Sequence, residues 1–257
     1  MEHIFKKKFG QNFLNDKNIL QKIASTINPN PNDLIIEIGP GSGNLTKYLQ
    51  KFNCYLLCYE IDISLKETLD NLKNDKTTII FKDFLESNIK EDLQTIPYEN
   101  IYVVANIPYY ITTPIIEKLA TSNLNIKSLT LMMQKEVGLR LTAKPKTKEY
   151  GYITVFLNYF YDIKCEFDVS RKCFYPEPNV DSIVVKFVTK ENNKTDFNKF
   201  NNFIKAAFQY KRKNLRNNLK SYNLNIINEI LNQNGYSLNN RAEDIPLEVF
   251  INIVNNL

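Results

Sequence analysis

Five residues with the character of a buried strand, Leu34, Ile35, Ile36, Glu37 and Ile38, run without a break into Gly39, Pro40, Gly41, Ser42 and Gly43. Leu45, Tyr48 and Leu49 follow at helical spacing. A strand that ends in a glycine turn and reopens as a helix is the first unit of a doubly wound α/β fold, and such folds bind ligands beyond the carboxyl ends of their strands. Glycines there remove Cβ atoms, so a cofactor can lie against the backbone. The spacing departs from the dinucleotide fingerprint G-x-G-x-x-G: the third glycine comes one residue early and Asn44 holds the sixth place. A nicotinamide cofactor is therefore disfavoured.

The next strands end on polar residues. The run from Cys54 ends at Glu60, where an acid can accept from both ribose hydroxyls of an adenosine; the competing reading makes it a surface charge. The run Thr77–Phe81 leads to Asp83, which can accept from an adenine amine while Phe84 contacts the ring, or can be a structural acid. Ile101 to Ala105 form a further strand closed by Asn106. Taken together, these place polar or glycine features at the ends of four successive strands.

Asn106, Ile107, Pro108 and Tyr109 combine an amide, a restrained turn and an aromatic face. The exocyclic nitrogen of adenine is a poor nucleophile because its lone pair is delocalised into the ring. If the Asn106 side-chain oxygen and the Pro108 carbonyl both accept from it, electron density on the nitrogen rises and its lone pair is aimed out of plane. Pro108 has a fixed φ and no N–H, which suits a turn that displays carbonyls. Tyr109 is placed to stack on the base, a contact worth ~1–3 kcal/mol. The plainer reading is an ordinary Asn-x-Pro turn at a strand end. Phe174 falls in a proline-stiffened loop, Phe174 to Ser182, where it either closes over the other face of the base or serves as a core aromatic.

The 257 residues suffice for one sizeable core and a small second domain. Alternating strands and helices from Leu34 to Val188 predict an α/β sheet, and residues 191–257 carry only helical patterns after the polar stretch from Lys190 to Phe197. No apolar run approaches a membrane span of ~20 residues, and the basic start lacks the apolar stretch of a secretory signal, so a cytoplasmic protein is expected. His3 is the sole histidine, which leaves almost no room for catalytic triads or His-based metal sites, and the four cysteines form no metal-spaced pair. The net charge of +5 is unevenly spread. Lys6, Lys7 and Lys8 cluster near the start, while Lys211, Arg212, Lys213 and Arg216 lie in a run with no acid, a pattern that favours a polyanionic partner. Between Phe5 and Asn15, basic residues give way to phenylalanines and amides around Gly10, as in a segment that folds over a ligand.

Gly10 to Leu14, Glu37 to Gly43, Glu60, Asp83, Asn106 to Tyr109, Leu131 to Glu136, Phe174 to Ser182, the basic run Ala207 to Leu219 and Arg241 to Asp244 together resemble the KsgA family of small-subunit ribosomal RNA adenine dimethyltransferases. The likeness covers nearly the whole chain in matching order, including the helical end. It implies a Rossmann-like methyltransferase sheet with helices on both faces, plus a small all-helical C-terminal domain, with residues 1–190 catalytic and 191–257 binding RNA. It further implies S-adenosylmethionine as methyl donor, no metal, and two adjacent adenines near the 3′ end of 16S rRNA in the small subunit as targets of a monomeric enzyme. The residues expected around the cofactor are Gln11, Asn12, Leu14, Glu37, Gly39, Gly41, Gly43, Glu60, Asp83, Phe84 and Asn106. Asn106, Pro108, Tyr109 and Phe174 are expected at the target base. Two positions depart from the family pattern: Ile107, where the related Erm enzymes of large-subunit rRNA often carry Ile, and Tyr110, where Asn is usual. A non-catalytic assembly factor and a DNA adenine methyltransferase are the competing classes.

Overall fold

The computed structural model describes residues 12–106, 111–190 and 195–257. These form two compact units, one built from the residues up to Gly138 together with Lys164–Thr189, the other from Leu139–Ile163 and the residues from Lys190 onward.

In the first unit, β1 (Phe13–Leu14) and α1 (Lys17–Ala24) precede β2 (Leu34–Ile38), α2 (Thr46–Leu49), β3 (Tyr55–Glu60), α3 (Lys66–Asp70), β4 (Thr77–Phe81) and α4 (Ile89–Asp92). Then come β5 (Ile101–Asn106), α5 (Thr112–Ala120), β6 (Ile126–Gln134) and α6 (Lys135–Leu141). After α7 (Tyr152–Phe160), which belongs to the second unit, come β7 (Tyr161–Val169), the short β8 (Phe174–Tyr175) and β9 (Ser182–Thr189). Asp16 starts α1 by accepting from the N–H groups of Asn18 and Ile19 at 2.9 and 3.1 Å.

Seven strands form one sheet in the order β4-β3-β2-β5-β6-β9-β7. β4, β3, β2, β5 and β6 run parallel, and β9 is antiparallel to β6. All five residues of β2 are buried, as are Ile101 to Ala105 of β5. Strands apolar on both faces require cover on both, which is why they read as continuous runs of Ile, Leu and Val. The chain reaches β4 on one side of β2 and returns to β5 on the other, so the strand order reverses between β2 and β5. Open α/β sheets form their ligand crevice at such a reversal.

β1 and β8 make a separate two-stranded antiparallel ribbon, with Phe13 opposite Tyr175 and Leu14 opposite Phe174. The expected loop around Phe174 is thus in part a strand. Leu14 and Phe174, 4% and 6% exposed, join the core cluster that includes Leu20, Ile23 and Val184.

The second unit contains α7 and the helices α8 (Phe197–Ala207), α9 (Leu215–Asn218), α10 (Leu224–Gln233) and α11 (Leu247–Asn256). Phe200, Phe203, Ile204, Leu215, Ile227, Leu231, Phe250 and Ile253 are buried at its centre. Tyr159 stacks on Phe200 at 4.4 Å, and Phe203 meets Phe250 edge-on. Residues 139–163 group here rather than with the sheet because their polar groups are spent on it. Lys146 donates its N–H to the Glu243 carbonyl at 2.9 Å, and the Tyr150 and Tyr159 hydroxyls donate to the carbonyls of Ile245 and Thr195 at 3.0 and 2.6 Å. The last boundary between the units falls between Thr189 and Lys190, and the second unit also takes in Leu139–Ile163. Among the described residues no helix is long and apolar enough to cross a membrane.

Candidate active site at the carboxyl edge of the sheet

Parallel pairing sets the tips of four neighbouring strands side by side. Ile38 is level with Tyr59 and with Ala105, and Glu60 is level with Phe81. In sheet order the edge therefore reads Asp83, Glu60, Gly39, Asn106. Residues far apart in the chain become consecutive along one edge.

Gly39 and Gly41 have φ values of +72° and +58°, a region that side chains rarely adopt. A Cβ on Gly39 would come within 3.6 Å of the Asn106 backbone oxygen, and one on Gly41 would press to 2.8 Å against the Phe13 ring. The turn is thus a cradle bounded by the tip of β5 on one side and by β1 on the other. Asn44 strengthens the second boundary. Its side-chain nitrogen donates to the Leu14 carbonyl at 3.1 Å and to Asn15 Oδ1 at 2.9 Å.

Glu60 is buried at the tip of β3, and its two carboxylate oxygens accept from the N–H groups of Gly41 and Asp62, both at 2.9 Å. Each oxygen keeps a lone pair for a further donor, which is what a ribose diol requires. Burial pushes the Glu60 pKa up, while the N–H groups of Asp62 and Gly41 pull it down. Asp83 accepts from the Leu85 N–H through Oδ1 at 2.8 Å, capping the short 3-10 turn Phe84–Glu86. A cradle without Cβ atoms, next to one carboxylate that can take a diol and another that can take an amino group, fits an adenosine-containing cofactor.

Glu37 lies deeper, inside β2. Its Oε2 accepts from Thr46 Oγ1 at 2.7 Å and from the Cys58 thiol at 3.6 Å. Burial is the main cause that pushes its pKa up to about 7; the Thr46 and Cys58 bonds work against it, and Glu60 adds to the rise. Phe84 is buried and packs edge-on against Tyr59 at 5.1 Å, so it reads first as a core residue under the Asp83 turn. Gly43 also has a positive φ, and a Cβ there would strike Leu72. Asn12 is half-buried just before β1.

Pro108 and Tyr109, with Gln11, Lys6, Lys7 and Lys8, lie outside the described residues. In the helical unit, Lys211, Arg212 and Lys213 are exposed in the turn between α8 and α9, and Arg216 is exposed on α9. The turn is pinned from beneath. Buried Asn218 donates to the carbonyls of Ala207 and Tyr210 at 2.6 and 3.3 Å, and Lys213 donates its N–H to Tyr210 at 2.9 Å.

A family model described as Ribosomal RNA adenine dimethylase matches residues 2–257. The chain belongs to the ribosomal RNA adenine dimethylase family. It is accordingly a methyltransferase that acts on adenine in ribosomal RNA. The Ribosomal RNA small subunit methyltransferase A of Phytoplasma australiense is 42% identical over 97% of this chain and 90% of its own length. The protein of the same name from Mycoplasma mobile is 42% identical over 97% of each chain. Among solved structures, a dimethyladenosine transferase from Plasmodium falciparum superposes with a TM-score of 0.78 at 26% identity, covering 95% of this chain and 96% of that one. The 23S rRNA methyltransferase ErmE shares the fold, with a TM-score of 0.77 at 24% identity over 96% and 99% of the two chains.

In this member of the dimethylase family two residues near the site escape sequence reasoning. Asn44 reads as the residue that breaks a glycine pattern, yet it ties β1 to the turn. Ile61 follows Glu60 and leaves 47% of its surface exposed, an apolar surface at the ligand edge. An isoleucine just past the end of a buried strand was the available signal.

Proposed function

We propose that this enzyme takes methyl groups from S-adenosylmethionine and dimethylates N6 of two adjacent adenines near the 3′ end of 16S rRNA in the small ribosomal subunit. The observation that carries the reading is the order of the strand tips, in which the glycine cradle stands between the carboxylates suited to an adenosine and the asparagine suited to the target amine. The names of the relatives support the choice of the small subunit.

Glu60 would hold the ribose hydroxyls, Asp83 the adenine amine, and Ile61 one face of the adenine, while Gly39, Gly41 and Gly43 give the cofactor room and Asn12, Leu14 and Gln11 cover it. Glu37 and Phe84 would act from beneath, supporting the turns that touch it. When bound, S-adenosylmethionine supplies an electrophilic methyl on a positively charged sulfonium. The Asn106 side-chain oxygen and the Pro108 carbonyl would accept from the two hydrogens of the target amine and aim its lone pair, and Tyr109 would stack on the base. Phe174, fixed beside Leu14, would be a wall of the base site rather than a lid. No general base is needed, because methylation makes the remaining proton acidic enough for water to take. Alignment then supplies most of the acceleration, and well-oriented reactions gain ~7–11 kcal/mol in this way. Extruding the adenine costs a few kcal/mol if it is stacked.

Residues 1–190 would carry this chemistry, and 191–257 would contact RNA through Lys211, Arg212, Lys213 and Arg216, with Lys6, Lys7 and Lys8 adding charge. We take the enzyme to be a cytoplasmic monomer. The test is incubation with labelled S-adenosylmethionine and either unmethylated small subunits or naked large-subunit RNA, followed by mapping of the modified base. Dimethylated adjacent adenines in the small subunit are expected. Label confined to large-subunit RNA would overturn the substrate assignment, and label in neither would overturn the activity.

A further inference from the structure

Lys118 lies on α5, and its ammonium is turned onto main-chain oxygens. Nζ stands 2.7 Å from the Phe84 carbonyl, 2.9 Å from that of Leu85 and 2.6 Å from that of Ser87, with the Ser87 hydroxyl at 3.5 Å. An ammonium has three N–H groups, and here three main-chain carbonyls face it. The same nitrogen lies 5.2 Å from the centre of the Phe84 ring. These carbonyls belong to the 3-10 turn Phe84–Glu86 and its cap Ser87; that of Phe84 also accepts from the Ser87 N–H at 3.2 Å and the Ser87 hydroxyl at 2.7 Å.

That turn begins at Asp83, whose Oδ1 accepts from the Leu85 N–H, so the direction of the carboxylate is set by the path of residues 83 to 87. Lys118 holds the far end of that path through the carbonyls of Phe84, Leu85 and Ser87. The ammonium is partly desolvated in this place, which lowers its pKa, and the nearby Asp83 charge opposes the fall. α5 starts at Thr112, a few residues beyond Asn106, so the same helix follows the strand tip proposed to hold the target amine.

The geometry points to Lys118 as a positioning residue that, through the Asp83–Ser87 turn, aims the carboxylate that selects the adenine amino group of the cofactor. It thereby couples the reader of the cofactor base to the helix that leaves the target-base motif. The inference rests on the cofactor assignment made above, and its test must separate the two.

The experiment is calorimetric binding of S-adenosylhomocysteine and of S-inosylhomocysteine, in which oxygen replaces the 6-amino group, to the full-length parent, Lys118→Met and Lys118→Gln. A residue that merely stabilises the fold would leave the ratio of the two affinities unchanged. The parent is expected to prefer the amino compound about tenfold or more, the usual worth of a hydrogen bond to a charged acceptor. In Lys118→Met that preference falls below about threefold. Lys118→Gln, which keeps two N–H donors, falls between the two. A folded variant that retains the full parental preference overturns the inference, and so does failure of both variants to fold, since Lys118 would then be a purely structural residue. If the parent binds neither compound, the cofactor assignment fails with it. If the parent binds both equally, the cofactor assignment stands while the role of Asp83, and this inference, fall.

Discussion

Gly41 donates its backbone N–H to Glu60 Oε2 at 2.9 Å, joining the turn after β2 directly to the acid at the end of β3. The second oxygen of the same carboxylate receives the Asp62 N–H. Glu60 therefore shapes the cradle, in addition to the ribose contact proposed for it. In Glu60→Gln the side-chain amide keeps one acceptor and turns an NH2 group toward the other N–H. The expected result is a loss of about 1–3 kcal/mol in stability, read by urea unfolding, with at least tenfold weaker S-adenosylhomocysteine binding by calorimetry. Parental binding in this variant would separate Glu60 from the cofactor.

Asn106→Ala removes the acceptor proposed for the target amine and leaves the β2 turn and both acids in place. Methyl transfer should drop by two or more orders of magnitude, roughly the scale of losing a preorganised polar group in a transition state. S-adenosylhomocysteine affinity should change far less. Single-turnover rates together with calorimetry measure the two, and near-normal turnover would defeat the proposed mechanism.

Glu37 makes a pH-dependent contribution. Burial raises its folded-state pKa from 4.5 to about 7, so across that window the folded protein holds a proton that the unfolded chain has released. The stability from this group is fully present below about pH 4.5 and is lost as the pH rises through about 7. Glu37→Gln stays neutral and escapes the loss. It should match the parent at acid pH and exceed it at pH 8 by on the order of 1–3 kcal/mol, measured by urea unfolding at the two pH values. Parallel stability curves would show that the carboxyl is ionised without cost.

Exposed Lys211, Arg212 and Lys213 sit on a turn pinned by Asn218, and Arg216 is exposed on α9, so all four can be changed with little effect on packing. Replacing all four with Gln should weaken RNA binding and flatten its salt dependence, by up to ~0.7–0.9 in the log–log slope for each phosphate no longer neutralised. S-adenosylhomocysteine binding should be unaffected. An unchanged slope in a filter-binding titration would move the RNA interface elsewhere.

Much of the sheet is legible because its strands are buried on both faces, and Leu34 to Ile38 or Ile101 to Ala105 have no other use for such runs. Glycines and polar residues that follow such strands mark the ligand edge for the same reason. The lateral order of the tips is harder to read, since it depends on crossovers that leave no local pattern. β1 and β8 have two residues each, too few for any periodicity, so their pairing and the burial of Phe174 emerge only in three dimensions. Asn44 and Lys118 act through their side chains on main chain distant in the sequence, and nothing in their immediate neighbours announces it. The grouping of residues 139–163 with the later helices has a similar origin, in hydroxyl-to-carbonyl bonds such as Tyr150 to Ile245.

The rung between Leu14 and Phe174 has a consequence for how the enzyme is made. Synthesis delivers one partner near the start and the other only after every parallel strand of the sheet has been translated. A nascent chain can assemble β2 to β5 and their turns early, but the ribbon beside the glycine cradle cannot close until Phe174 clears the exit tunnel. Polypeptides truncated ahead of that point would carry the acids and glycines of the site yet lack the clasp beside them.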